Sequence, residues 1–212
     1  SQFRAEHGAA LDALFTDVVS QLMHRGLIDL SVLAQDGTRV RASAGAASFR
    51  SYGSLLECRA QAALHLKAVL AQAADPSLTR AERARREAAA RDFQRRVEEA
   101  IDACKAQREA HPEREARGST TDAEARVMKM ADGGFRPGYN VQYGVVGNKM
   151  GGPRTIVGVQ VTNVGSDLGS LVPMAEQVER RTGVRPGAVA ADSNHARHED
   201  IKALLARGIK PV

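Results

Sequence analysis

The feature that most constrains this chain is a long stretch without glycine. Residues 54–117 are rich in Ala, Arg, Glu and Gln, with proline only at Pro76 and Pro112. Such residues are strong helix formers, and Gly and Pro are the strongest breakers, so the stretch has to be mostly helical. Its one internal stop is Asp75-Pro76-Ser77-Leu78-Thr79, where Thr79 precedes Glu82 by three residues in the pattern of a capping box. A long helical hairpin is the expected form. Its second arm carries Arg80, Arg83, Arg85, Arg86, Arg91, Arg95 and Arg96 among acidic residues, which fits either a DNA-facing ridge or an exposed helix laced with i,i+4 ion pairs.

The flanks have a different texture. Leu11, Leu14, Phe15, Val18 and Leu22 recur at helical spacing, so residues 6–24 read as an amphipathic helix whose apolar stripe faces the core. Residues 30–38 form a short apolar run ending in Asp36-Gly37, read as a buried strand that presents Asp36 at a turn; Arg39 to Ala42 continue it as an extended basic segment. Beyond Gly118, residues 136–146 and 154–162 alternate as two strands of an antiparallel hairpin, with turn residues at 147–153. A helix from Asp167 to about Arg181 follows, closed by Gly183. Residues 188–191 form a strand delivering Asp192, 198–207 a helix ended by Gly208, and 209–212 a further strand. The domain reading is therefore residues 1–53 as N-terminal helix and first strand, 54–117 as helical insertion and 118–212 as the rest of a mixed α/β core.

Composition narrows the function. Lys and Arg exceed Asp and Glu by 30 to 25, a net charge of +5 with a pI near 9.6, which favours a polyanionic partner. Aromatic residues are only 4% and Trp is absent, which argues against a stacking platform for single strands and leaves phosphate-directed contacts. Cys58 and Cys104 have no Cys or His at metal spacing and read as free thiols in a reducing compartment. No run nears the roughly 18 apolar residues of a membrane span, and Ser1-Gln2-Phe3-Arg4 lacks a signal-peptide layout. A cytoplasmic protein without a membrane partner is expected, nucleoid-associated when bound to DNA.

Two acids stand at the ends of separate strands, Asp36 and Asp192. On neighbouring strands, about 4.8 Å apart, their carboxylates would converge on a shared Mg²⁺ or Mn²⁺, and such ions activate a water or hydroxyl for in-line phosphodiester displacement. Either Asp alone can also serve as a turn or cap residue. His195 and His198 flank Asp192, but with no second cluster they read as loop and helix-surface histidines. Asp122 with Glu124 reads as the cap and acidic first turn of a helix. Tyr139 and Asn140 on the hairpin fit a DNA contact or strand packing, and residues 147–152, glycine-rich around Lys149, lack Walker spacing.

Taken in order, Gln35-Asp36-Gly37-Thr38 followed by basic residues, residues 119–129, Gly138-Tyr139-Asn140-Val141-Gln142, Val161-Thr162-Asn163 with Asp167, and Ala191-Asp192 resemble the transposases of bacterial insertion sequences. These are the DDE class with a ribonuclease-H-like catalytic domain, and the resemblance covers nearly the whole chain. It implies a ribonuclease-H-like mixed sheet with the helical insertion after its first strand. Asp36 and Asp192 would be the first two catalytic aspartates, holding Mg²⁺ or Mn²⁺ for cleavage and strand transfer at mobile-element ends. Double-stranded DNA would be the partner, contacted by Arg39, Arg41, Arg83, Arg86, Arg91 and Arg95, with a homodimer as a further expectation. The sequence departs from the family pattern at Ser193-Asn194-His195, where a Gly-Tyr or Gly-Phe pair is common. The family's third acid is a glutamate on a later helix, whereas Glu199 and Asp200 come too early and the chain stops at Val212, so a C-terminally incomplete catalytic set is expected. The alternatives are a catalytically incomplete DNA-binding or oligomerising remnant, or a metal-dependent nuclease of the same fold unrelated to mobility.

Overall fold

A computed structural model of the chain describes residues 6–72, 75, 77–113, 115–148 and 154–212. The first four residues, Pro76 of the expected hairpin turn, and residues 149–153 of the glycine-rich turn lie outside these. In chain order the elements are α1 (Gly8–His24), β1 (Asp29–Arg41), β2 (Phe49–Ser51), α2 (Tyr52–Ala71), α3 (Arg80–Ala110), β3 (Arg117–Ser119), β4 (Arg126–Lys129), β5 (Phe135–Gly147), β6 (Thr155–Thr162), α4 (Leu171–Thr182), β7 (Ala188–Ala190), α5 (His198–Ala206) and β8 (Lys210–Pro211). The architecture is mixed α/β. Among the described residues no helix is long and apolar enough to cross a membrane.

The chain divides into two compact units, residues 1–39 with 140–212, and residues 40–139; β1 and β5 each run from one into the other. In the first unit the strand order is β6-β5-β1-β7-β8. β5 and β6 are antiparallel, whereas β1, β7 and β8 run parallel. A parallel neighbour needs a crossover connection, and α5 supplies it between β7 and β8. The core gathers Leu33, Val157, Met174, Val178, Val189, Leu204 and Ile209. Met174 of α4 seats against two glycines: a Cβ at Gly144 or Gly158 would stand 2.8 or 2.5 Å from its sulfur.

α1 presents a different face from the expected one. Leu11, Leu14 and Val18 are exposed, while Val19 is fully buried with Phe15, Leu22 and Met23 packed beside it. The rotation is explained by Arg181 of α4, a buried guanidinium that donates to the Asp12 carboxylate, to Thr16 Oγ1 (3.1 Å) and to the Val157 carbonyl (3.1 Å), with its Cζ 4.4 Å from the Phe15 ring centre. Satisfying a buried charge outweighs the placement of two leucines.

In the second unit α2 and α3 pack on one another through Leu55, Cys58, Val97, Ile101 and Cys104, giving the expected hairpin. Its turn is built as the sequence suggests. Ser77 donates through N and Oγ to Asp75, and Thr79 and Glu82 cap α3 reciprocally, Glu82 N donating to Thr79 Oγ1 at 3.2 Å and Thr79 N to Glu82 Oε2 at 2.9 Å. Both cysteines are buried free thiols, and burial pushes the Cys104 thiol up.

One local expectation is corrected here. Residues after Thr121 form no helix: Asp122 Oδ1 accepts from Ala125 N and from Tyr139 Oη (2.6 Å), and the chain goes directly into β4, which pairs with the first part of β5. Burial, and then that hydrogen bond, push the Tyr139 phenol well above its ordinary range. The short strands β2 and β3 also pair with each other, Phe49 opposite Ser119.

Candidate functional site

The candidate acids lie in the first unit. β1 and β7 are adjacent and parallel, in register from Val32 opposite Ala188 to Ala34 opposite Ala190. The pairing ends there; Asp36 stands two residues beyond Ala34 within β1, and Asp192 two residues beyond Ala190, past the end of β7. Asp36, however, is not at a turn, because β1 continues through it to Arg41. Alternation along β1 puts Leu33, Gln35, Gly37 and Arg39 on the face covered by α4, and Asp36 on the other, exposed face. The Asp36 carboxylate accepts from the Gly37 amide at 2.7 Å.

Asp192 is the cap of a short 3-10 turn, Ser193–His195. Its Oδ1 accepts from Asn194 N (3.1 Å) and meets His195 Nδ1 at 2.6 Å, and its Oδ2 accepts from Asn194 Nδ2 at 3.0 Å. The hydrogen bond from His195, with those from Asn194, holds the Asp192 carboxyl below the usual carboxylate range. His195 is not the surface residue its polar neighbourhood suggests: it is 1% exposed, and its Nε2 reaches Gln142 Oε1 at 2.9 Å.

From Gln142 a buried polar network continues. Gln142 Nε2 donates to Asn140 Oδ1 (3.0 Å) and Asp167 Oδ1 (2.6 Å), and Gln35 Nε2 donates to Gln142 Oε1 and Ser170 Oγ. Arg39 makes a two-pronged pair with Asp167, Nη1 to Oδ1 at 3.0 Å and Nη2 to Oδ2 at 3.1 Å, and also donates to Asn140 Oδ1 and the Gly165 carbonyl. Burial alone would raise the Asp167 carboxyl, but the hydrogen bonds from Arg39 and Asn140 and the Arg39 charge keep it below its ordinary value. Asp167 thus belongs to a loop preceding α4, not to the helix start read from the sequence. Asn140, Gln142 and Ser170 also line a groove of about 470 Å³ bounded by β6 and the start of α4.

The expected DNA contacts fare differently. Arg39 is engaged inside this network, with 17% of its side chain exposed. In the second unit Arg41 is exposed and paired with Asp132. On α3, Arg91 pairs with Glu87 and Arg95 with Asp92 and Glu99, all solvent-exposed; Arg83 donates to the Leu78 carbonyl. The residues that sequence reasoning missed are Gln35, Gln142 and His195. Among the described residues, no group of three or more His, Cys, Asp or Glu side chains is arranged to hold a metal ion. Comparisons with protein-family models, with curated proteins and with solved structures found no match.

Proposed function

We propose that the chain belongs to a DNA transposase whose ribonuclease-H-like core performs metal-dependent phosphodiester cleavage and strand transfer, with Asp36 and Asp192 as the carboxylates that hold Mg²⁺ or Mn²⁺. The observation that carries this reading is the parallel pairing of β1 with β7, with Asp36 and Asp192 each two residues beyond the last paired residues, Ala34 and Ala190. The strand order of the first unit supports it: numbered by their sequence within that unit the strands run 3-2-1-4-5, the first, fourth and fifth parallel. The donor chemistry fits as well, since both acids are exposed and offer hard oxygen ligands of the kind that select Mg²⁺ or Mn²⁺. Divalent ions bound there would supply activation of the attacking water or hydroxyl and charge stabilisation at the leaving oxygen. The chain's own part would be to present Asp36 from within β1 and Asp192 from the cap just past β7.

A second reading, DNA binding or oligomerisation without cleavage, draws on the fact that the hydrogen bonds of both carboxylates run to their own chain neighbours, Gly37, Asn194 and His195. Calorimetric titration with Mn²⁺, together with nicking of supercoiled DNA in Mg²⁺, separates the two. Under the first reading Mn²⁺ binds the parent and is lost in both Asp36→Ala and Asp192→Ala, and nicking follows the same pattern. Binding of DNA that is equal in Mg²⁺ and in chelator, with no Asp36-dependent Mn²⁺ uptake, favours the second.

DNA affinity itself is expected to reside in basic residues away from the acids. Replacing Arg83, Arg86, Arg91 and Arg95 together weakens binding across sequences and flattens its salt slope by up to about one unit for each phosphate no longer neutralised. Because Arg91 and Arg95 are already paired along α3, the change in slope is expected to be smaller than four units. A salt series in which the quadruple variant matches the parent returns α3 to a solvated helical surface.

A further inference from the structure

We infer that the β4–β5 hairpin is a DNA wedge, with Phe135 entering a base step and Lys129, Arg41 and Arg136 on the flanking phosphates; the inference rests on the reading that double-stranded DNA is the partner. All four residues lie in the second unit. In the antiparallel register Val127 stands opposite Pro137 and Lys129 opposite Phe135, and residues directly opposite share a face. That face is apolar and open, with Phe135 71% and Val127 53% exposed. Alternation turns Arg136 to the other face. There Asp132, in the turn, accepts from Arg136 Nη1 at 2.6 Å and from Arg41 Nη2 at 3.1 Å, so two guanidinium groups share one carboxylate. The turn is pinned by Met130 N donating to the Gly134 carbonyl at 2.7 Å and Gly133 N to the Met130 carbonyl at 3.0 Å. Gly133 has a φ of +86°, which only glycine adopts freely.

The charge around the exposed ring selects the partner. From Arg126 to Arg136 the hairpin carries Arg126, Lys129 and Arg136 against the single acid Asp132. Arg126 turns inward, its Nη1 donating to the carbonyls of Ala123 and Ala125. Lys129, Arg136 and, from β1, Arg41 therefore stand against one carboxylate, and the apolar face has a positive rim. Lysine is depleted from protein–protein interfaces, so Lys129 directly across from Phe135 disfavours a protein partner on this face. Proteins that kink duplex DNA, in contrast, push an apolar side chain between base pairs while Lys and Arg neutralise the phosphates beside it. One exposed aromatic residue is too few for a single-strand stacking platform, but it is all that a wedge requires.

Fluorescence anisotropy of the full chain on two DNA duplexes of equal length, one fully paired and one with a central mismatch, tests the wedge, because a mismatched step costs less to open. The parent is expected to bind the mismatched duplex more tightly. Phe135→Ala is expected to bind it about 5–150-fold more weakly, the worth of one base–aromatic stack, and to lose the preference between duplexes with its salt slope unchanged. Lys129→Ala does the reverse, flattening the slope by about one unit and keeping the preference. Phe135→Leu, still an apolar wedge, keeps most of it. Phe135→Trp gives a readout independent of affinity: it carries the chain's one indole, whose emission is quenched when it stacks in the duplex. A Phe135→Ala variant that matches the parent on both duplexes, or a Phe135→Trp emission unmoved at saturation, overturns the wedge. Phe135→Ala that binds DNA as the parent does but loses self-association in sedimentation overturns it in favour of a second copy of the chain on this face. A parent that binds neither duplex overturns the wedge and the DNA reading together. The Mn²⁺ titration separates the remaining failures: a Phe135 effect without Mn²⁺ uptake keeps the wedge and removes the catalytic reading, and Mn²⁺ uptake with nicking but a silent Phe135 removes the wedge alone.

Discussion

Replacing Arg39 with Met is expected to destabilise the first unit by about 2–3 kcal/mol, below the roughly 3–5 kcal/mol for breaking a fully buried pair because each side chain of this one retains a little exposure. The loss arises less from the missing attraction than from what stays behind. Asp167 would keep its charge in a site where burial opposes it, with Asn140 and Gln142 the donors left to it among the described residues. Removing the charge as well should restore part of the stability, so Arg39→Met with Asp167→Asn is expected to be less destabilised than Arg39→Met alone. Urea unfolding of the four proteins of this cycle measures the coupling. An Arg39→Met midpoint indistinguishable from the parent would mean that the pair is energetically idle.

The same carboxylate gives a pH dependence of fixed sign. Its folded pKa lies below its ordinary value, so the stability it contributes is fully present above the unfolded carboxylate value of about 3.9 and is lost as pH falls through the lower folded value. The parent and Asp167→Asn should therefore differ most at neutral pH and converge in acid, below about pH 4.

What could be read from the sequence, and what could not, divides along the range of the interactions. The α2–α3 hairpin was legible because its causes are local: helix formers throughout, and a Thr79–Glu82 box that caps α3 within one turn. The β5–β6 hairpin was legible from its alternation, and the parallel β7 from a short apolar run. Pairings between distant segments left no such signature. β2 and β3 are too short to alternate, and the Ser48–Ser119 hydrogen bond beside them joins residues 71 positions apart. His195 sits in a polar sequence that reads as loop, and the partner that draws it inward, Gln142, is 53 positions away on another strand. Asp167 looked like a helix start because acids favour that position. Instead its carboxylate is taken by Arg39, Asn140 and Gln142, and α4 begins four residues later, at Leu171. Of the two candidate acids, Asp36 lies inside β1 and Asp192 beyond the end of β7, and the partners that hydrogen-bond Asp192 left no signature in the sequence.

The Asp36-Gly37 pair shows the same division and gives the sharpest expectation. Asp-Gly is a turn signal, yet β1 runs straight through it, and Gly37 is required for another reason. A Cβ there would stand 2.1 Å from Gln142 Nε2 and 2.7 Å from its Cδ. A flexible side-chain end could yield to that, but Gln142 is 1% exposed and is tied to Asn140, Asp167, Gln35 and His195 at once. Gly37→Ala must therefore break several of these bonds or shift β1 against β5, and a loss of about 2–4 kcal/mol is expected from overpacking together with the unpaired polar groups it leaves. Gly147→Ala is the matched control, since a Cβ at that strand end meets nothing within 4 Å among the described residues, and its effect should lie within about 0.5 kcal/mol of zero. If the cause is the contact with Gln142, Gly37→Ala costs less in a Gln142→Ala background than in the parent, where the two changes share one volume. Equal unfolding midpoints for Gly37→Ala and Gly147→Ala would remove Gln142 as the constraint on this position.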